Sequence, residues 1–271
     1  MPDEGAVKVG FVGAGRMGRP MVARLAAAGH NVAVVVRDAT DDARRHDLEQ
    51  LGVAVVNAAA DAASRADVVV LCVFTDEQVR QVCLGGPLLS AMPTGSTLVV
   101  HTTTRPETIE AIAAQAGHVD VVDAAVSGGP HDIAAGTLTL FVGGPDATVA
   151  RLQTVLGCYG DPVLHVGPRG AGQTVKLVNN ALFAGHLGLL AESIRLGERL
   201  GVAEPTLLGA LAHGSATSRV LDIVAATGSI AGFIEVAGEF IGKDVAAVRA
   251  IAADLGALDD VIEVLNVGGK V

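Results

Sequence analysis

Short valine-rich runs alternate with alanine-rich helical segments from Lys8 to Val166. The runs are Lys8–Gly13, Asn31–Val36, Val53–Asn57, Asp67–Val73, Thr97–Thr102, Val119–Asp123, Leu138–Val142 and Val163–Val166. Several are apolar nearly throughout, as strands buried on both faces are. Alternation with helices predicts an α/β fold with a mostly parallel sheet covered on both sides. The last strands have short connections, so part of the sheet is expected to be mixed. After Gly167-Pro-Arg-Gly170 the texture changes, and no turn signal interrupts the chain until Leu200. A helix of roughly 30 residues, about 45 Å long, is expected there. Shorter helices follow, one after Pro205 and one from Ile241 to Leu255. The pattern thus divides the chain into a first domain, 1–166, and an all-helical second domain, 167–271. A long apolar helix needs more cover than its own domain offers, so a homodimer or higher homo-oligomer is expected.

Hydrophobic residues make up 50% of the 271 residues, enough for a sizeable core. The net charge of −10 provides no basic stripe for a nucleic-acid partner. The longest apolar stretch, Leu177 to Leu190, runs into Glu192, Arg195, Glu198 and Arg199 and reads as a buried helix rather than a membrane span. Cys72, Cys83 and Cys158 lack metal-ligand spacing and read as small buried hydrophobes in a reducing compartment. The acidic start, Met-Pro-Asp-Glu-Gly, has no signal-peptide pattern, and a cytoplasmic location is expected.

Gly13-Ala14-Gly15-Arg16-Met17-Gly18 lies between the strand Val9–Val12 and the helix Met17–Ala28. In that position a GxGxxG pattern predicts a Rossmann, dinucleotide-binding first domain. Gly13 permits the tight turn, Gly15 lets a pyrophosphate approach the backbone, and Gly18 lets helix and strand pack closely. The helix N-terminus adds unpaired N–H groups and a positive dipole. At the end of the second strand, Val34-Val35-Val36-Arg37-Asp38 puts valine where an NAD-binding acid usually stands. Arg37 favours a 2′-phosphate and hence NADP, while Asp38 keeps NAD open. Two more loops, at Val73-Phe74-Thr75-Asp76 and Thr102-Thr103-Thr104, fall at carboxyl ends of strands, where such sheets bind ligands. Their hydroxyls can bond cofactor or cap the next helices; Asp76 reads as a cap and Thr103 as a contact.

Asp123-Ala-Ala-Val-Ser127-Gly128-Gly129 ends a strand in a bare loop whose N–H groups can receive a carboxylate. Gly170-Ala-Gly-Gln-Thr-Val-Lys176-Leu-Val-Asn-Asn180 opens the long helix with a lysine and two asparagines. Lysine is scarce, with Lys8, Lys176, Lys243 and Lys270 among 19 basic residues. Arginine keeps its proton near neutral pH, whereas a partly desolvated lysine can release it.

In order and spacing these motifs resemble the β-hydroxyacid dehydrogenases, of the 3-hydroxyisobutyrate dehydrogenase and semialdehyde reductase type, with 6-phosphogluconate dehydrogenase a distant relative. The matching pieces are Gly13–Met21, Asp123–Gly129 with Gly136-Thr-Leu138, Gly170–Asn180 and Lys243-Asp244. The resemblance implies Lys176 as catalytic acid/base, with Ser127, Gly128, Gly129 and Asn180 as substrate contacts. Lys243 would line the site beside cofactor and substrate. It further implies hydride transfer between NADP, or NAD, and a small anionic β-hydroxy acid or semialdehyde. Imine reductases share this architecture but usually carry Asp or Tyr in place of Lys176, and a silent dinucleotide-binding module would have lost the lysine. Ala125 stands where the family has proline. Pro130-His131-Asp132 replaces a small apolar run, making His131 either a surface residue or a selector of substrate. His101 reads as structural. The family continues in another long helix after Leu255, a pattern that Gly256–Val271 does not continue.

Overall fold

The computed structural model describes residues 5–235, apart from Arg37 and Ala39, together with Gly242. The expected site residues Arg37 and Lys243, the expected helix from Ile241 to Leu255 and the segment Gly256–Val271 therefore lie outside the described residues. The chain forms two compact units, one reaching to Lys176 and the other beginning at Leu177.

The first unit holds eight strands: β1 (Lys8–Val12), β2 (Asn31–Val35), β3 (Ala54–Val56), β4 (Val68–Leu71), β5 (Thr97–Val100), β6 (Asp120–Ser127), β7 (Leu138–Gly143) and β8 (Gly160–Gly167). Between them run α1 (Gly18–Ala27), α2 (Asp42–Glu49), α3 (Ala59–Ala63), α4 (Asp76–Cys83), α5 (Leu88–Ala91), α6 (Pro106–Gln115), α7 (Pro130–Ala135) and α8 (Asp146–Leu156). All eight valine-rich runs became strands, joined in the order β3-β2-β1-β4-β5-β6-β7-β8. Every neighbouring pair is parallel except β6 and β7, the mixed portion expected from the short connections.

Side chains alternate to opposite faces of the strands, so each strand supplies two cores. Val9 and Phe11 of β1, Val68 and Val70 of β4, and Val99 of β5 meet Met21, Val22 and Leu25 of α1 on one face. Val12, Val69, Leu71, Leu98 and Val100 meet Ala62, Val79, Cys83, Ile109 and Ile112 on the other. Full burial of a side chain such as Phe11, Met21 or Leu25 contributes about 1.5–3 kcal/mol. Cys83 belongs to this core, while Cys72 and Cys158 are half-buried; none of the three is in a disulfide.

A row of register runs through Val12, Leu71, Val100, Asp123, Gly143 and Gly167, and β2 and β3 end beside it at the paired Val35 and Val56, one residue past the Phe11–Val34 pair. The strands β1 to β5 stop at that row. β6 continues four residues past it to Ser127, roughly 13 Å at 3.3 Å per residue. β7 and β8 run back along that extension and end on the row.

The helix α9 (Ala171–Arg199) is 29 residues long and passes from the first unit into the second. In the second unit Leu187, Leu190 and Ile194 of α9 pack with Leu208 of α10 (Glu204–Leu211) and with Val220, Leu221 and Val224 of α11 (Arg219–Thr227). Val178, Leu182, Leu189 and Leu196 of α9 stay exposed. Among the described residues no helix is long and apolar enough to cross a membrane.

Candidate functional site

The glycine loop begins one residue past the register row. Gly13 has a φ of 102°, and a Cβ there would stand 2.3 Å from the Cys72 carbonyl oxygen. At Gly18 a Cβ would lie 2.1 Å from the Gly13 carbonyl oxygen and 2.8 Å from the Phe11 ring. Gly15 differs: a Cβ there would meet nothing within 4 Å. Two of the glycines therefore serve close packing of strand and helix, and the third keeps the outer side of the loop bare. That is the division of labour a pyrophosphate cradle requires.

Beside the loop lies a cavity of about 290 Å³ lined by Ala14, Gly15, Arg16, Arg19, Arg44, Asp47 and Leu48. Arg19 and Asp47 form a hydrogen-bonded ion pair across it, which holds the Asp47 carboxyl below its ordinary range. Arg44 belongs to the first turn of α2, where its backbone N–H donates to the Asp41 carboxylate at 3.1 Å. Asp38 is exposed and turned back on Thr40, accepting from its backbone N–H at 2.9 Å and its hydroxyl at 2.7 Å. These bonds lower the Asp38 pKa, the hydroxyl contributing most. Arg19 and Asp47 carried no signal in the sequence, because only folding brings α2 against the glycine loop.

Further along the row, the loops after β4 and β5 are stitched together. The Thr102 hydroxyl donates to the Val73 carbonyl oxygen at 2.9 Å. The backbone N–H groups of Phe74 and Thr75 donate to the Gln78 side chain at 2.8 and 3.2 Å, and the Gln78 N–H returns a bond to the Thr75 hydroxyl. Thr75 is thus the N-cap of α4, and the expectation that Asp76 would cap it is corrected by one residue. Extended backbone at Thr75 aims its hydroxyl at the helix, whereas Asp76 already belongs to the first turn and its carboxylate accepts the Arg105 N–H at 3.2 Å. Thr103 is half-buried between Thr102 and Thr104, both buried.

Asp123 is fully buried within β6. Its oxygens accept the backbone N–H groups of Gly170, at 2.6 Å, and Gln173, at 2.8 Å, at the start of α9. Burial raises the Asp123 pKa against the opposing effect of those N–H donors. Gln173 is fully buried too; its amide donates to the Thr102 carbonyl oxygen at 3.0 Å and accepts the Thr104 N–H at 2.9 Å. Three residues on comes Lys176, with 9% of its surface exposed, and one further turn brings Asn180, with 7%. The Asn180 Nδ2 is buried without a hydrogen-bond partner among the described residues.

At the far end of β6, Ser127 and Gly129 are partly buried, and Gly128 is exposed with a φ of 132°. The Gly129 N–H is already engaged, donating to the Asp132 carboxylate at 2.7 Å just before α7. A Cβ on Gly128 would stand 2.7 Å from that same carboxylate. His131 is largely exposed, with its Nε2 3.3 Å from Asp132. His101 is buried in the core, as its structural reading requires. No cluster of His, Cys, Asp or Glu suited to a metal ion occurs among the described residues.

The row therefore brings together the glycine loop, the Val73–Thr75 and Thr102–Thr104 loops and the start of α9. This is the edge at which doubly wound sheets take dinucleotides, and the open face at Gly15 fits one.

Comparisons with known proteins agree with that fit. The sequence model of the NAD-binding domain of 6-phosphogluconate dehydrogenase matches residues 8–167. A second model, described as NAD-binding of NADP-dependent 3-hydroxyisobutyrate dehydrogenase, matches residues 170–265. The 2-(hydroxymethyl)glutarate dehydrogenase of Eubacterium barkeri is 32% identical over 231 residues, covering 81% of this chain and 73% of that protein. A probable 3-hydroxyisobutyrate dehydrogenase of Mycobacterium tuberculosis (strain ATCC 25618 / H37Rv) is 37% identical over 209 residues, covering 73% and 67%. Among solved structures, Mycobacterium tuberculosis 3-hydroxyisobutyrate dehydrogenase with L-serine superposes with a TM-score of 0.84 at 27% identity, covering 98% of this chain and 93% of that one.

Proposed function

This chain belongs to the β-hydroxyacid dehydrogenase family and is an NAD(P)-dependent hydroxyacid dehydrogenase; on that premise we propose that it works with NADP(H) on a small β-hydroxy acid or the matching semialdehyde, with Lys176 as general acid and base. One observation carries the reading: a primary amine with only 9% of its residue exposed, in the second turn of a helix bonded at its start to Asp123 and to the Thr102–Thr104 backbone.

The bound nicotinamide supplies the hydride in reduction and accepts it in oxidation. Lys176 gives a proton to the substrate oxygen as it gains negative charge, and takes the hydroxyl proton in the reverse direction. The substrate carboxylate is assigned to the Ser127–Gly128 end of its loop, because the Gly129 N–H already serves Asp132. Gly129 then contributes bare backbone rather than a donor. Asn180, one helical turn beyond Lys176, is assigned to the substrate. Lys243 is assigned to both substrate and cofactor.

Gly13 to Gly18 hold the pyrophosphate, and Val73, Phe74, Thr75 and Thr103 contact the remainder of the cofactor. Arg37 is assigned to the 2′-phosphate. Two observations support NADP over NAD: Asp38, the acid that would bond a free ribose, is spent on Thr40, and Arg16, Arg19 and Arg44 line one cavity beside the loop. The apolar residues exposed along α9 support a homodimer or higher homo-oligomer.

The test mixes purified protein with NADPH or NADH and a panel of small semialdehydes and glyoxylate, following nicotinamide absorbance. Turnover should prefer NADPH, and Lys176→Ala should lower it at least about a hundredfold with cofactor affinity little changed. Near-normal turnover in the variant would remove the role assigned to Lys176.

A further inference from the structure

Two side chains that have no part in the proposed proton transfer tie down the first turn of the helix that carries Lys176. Asp123 is a carboxylate buried in the middle of a strand of valine and alanine. Its neighbourhood is built to admit it: a Cβ on Gly143 would lie 2.6 Å from one carboxylate oxygen, and a Cβ on Gly172 would lie 2.8 Å from the other. In that space the carboxylate takes two backbone N–H groups from the first turn of α9, facing the positive end of a 29-residue helix. An apolar residue at 123 would leave those N–H groups buried without acceptors. Gln173 fastens the same turn sideways, its amide bonded at both ends to the backbone on either side of Thr103. Between β8 and α9 lies the turn Pro168-Arg169-Gly170, with φ of 140° at Gly167 and 87° at Gly170; its Arg169 pairs with Glu110 at 3.2 Å, but close to solvent, where such pairs hold little.

We infer that Asp123 and Gln173 are positioning residues for Lys176, setting the height and rotation of its helix turn against the Thr102–Thr104 loop. Asp123 fixes how far α9 stands from β6. Gln173 fixes its rotation about its own axis, and Lys176 follows three residues later on the same helix. A displacement of about 1 Å at a reacting group costs on the order of a hundredfold in rate, so bonds that hold the turn act on kcat rather than on binding. The inference rests on Lys176 being the proton donor.

The experiment compares Gln173→Leu, which keeps the volume and loses both bonds, with Gln173→Glu, which keeps the acceptor for Thr104 and, held protonated by burial, a donor for the Thr102 carbonyl. Lys176→Ala runs in parallel. Gln173→Leu should lower kcat by roughly a hundredfold while both KM values stay within about threefold, and Gln173→Glu should recover most of the loss. A second readout needs no cofactor: the rate at which a small acylating reagent modifies Lys176, read by peptide mass spectrometry, should change in Gln173→Leu and return in Gln173→Glu. Wild-type kcat and an unchanged modification rate in a folded Gln173→Leu would overturn the inference. So would a loss spread equally over kcat and both KM values. If Gln173→Leu does not fold, Asp123→Asn decides in the same two measurements, because one of its two N–H groups then meets an NH₂ donor. Full turnover in Lys176→Ala would instead overturn the reading of the lysine itself. An inactive Lys176→Ala beside an unaffected Gln173→Leu overturns the positioning role alone.

Discussion

The Nε2 of His101 lies 2.9 Å from the Tyr159 hydroxyl, while its Nδ1 lies 2.6 Å from the Ala124 carbonyl oxygen. A carbonyl only accepts, so Nδ1 carries the proton and Nε2 receives the Tyr159 hydroxyl. Both residues are buried, their rings meeting edge to face at 5.6 Å. Burial pushes the His101 pKa down to about 4, against a smaller upward effect of the Ala124 bond.

A depressed pKa on a base means that folding holds the ring neutral. Its stabilising effect is complete above the ordinary value of 6.5 and is lost as pH falls from there through about 4. By linkage that loss amounts to about 3 kcal/mol. Urea unfolding near pH 7.5 and near pH 4.5 should show His101→Gln less stable at the higher pH and closer to wild type at the lower one. An identical gap at both pH values would mean that the ring's protonation does not limit the fold.

The glycines of the loop should separate folding from cofactor binding. Gly18→Ala forces a Cβ against Gly13 and Phe11 and should lower the melting temperature by several degrees, roughly 1–3 kcal/mol of overpacking. Gly15→Ala meets no protein atom, so melting should barely change while NADPH affinity falls at least about tenfold. Differential scanning fluorimetry and nicotinamide fluorescence read the two effects. Unaltered NADPH binding in Gly15→Ala would place the pyrophosphate elsewhere.

Arg37→Ala should weaken NADPH by at least about tenfold, the loss of one charge-assisted phosphate contact, and leave NADH nearly unchanged. Fluorescence titration with both cofactors measures it. Equal losses would assign the 2′-phosphate to other groups, with Arg44 the next to substitute.

Val178, Leu182, Leu189 and Leu196 recur along α9 at spacings of four and seven residues, a helical stripe exposed in the single chain. Light scattering coupled to size exclusion should give at least twice the chain mass at micromolar concentration, and Leu189→Asp should return the monomer. A wild-type monomer would remove the oligomer from the proposal.

Most of the fold was legible because its signals are local. Valine runs such as Val68–Leu71 and the unbroken segment from Ala171 to Arg199 state their own conformation through composition and the absence of turn residues. The site was legible where chemistry depends on neighbours in sequence, as in the glycine loop. It was not legible where a side chain acts at a distance. Asp123 reads as part of a motif, yet its partners stand 47 and 50 residues away, and Gln173 reaches back about 70 residues to its threonines. A charged residue inside the run Val121-Val122-Asp123-Ala124 was the available clue, since an unpaired carboxylate in a buried strand is too costly to stand without a partner. The Asp132 bond to Gly129 was hidden for a different reason: it depends on α7 beginning at Pro130, one residue after the loop.

The continuation of β6 past the row where β1 to β5 end has a consequence for shape. With β7 and β8 lying along that extension, the sheet rises on one side as a parapet above a flat sill. The glycine loop and the threonine loops open onto the sill, and Ser127 stands at the parapet's rim. Shelter on that flank is built from paired strands, with their backbone bonds already made, rather than from a loop that must fold over a ligand. A molecule resting on the sill thus meets paired strands on that flank.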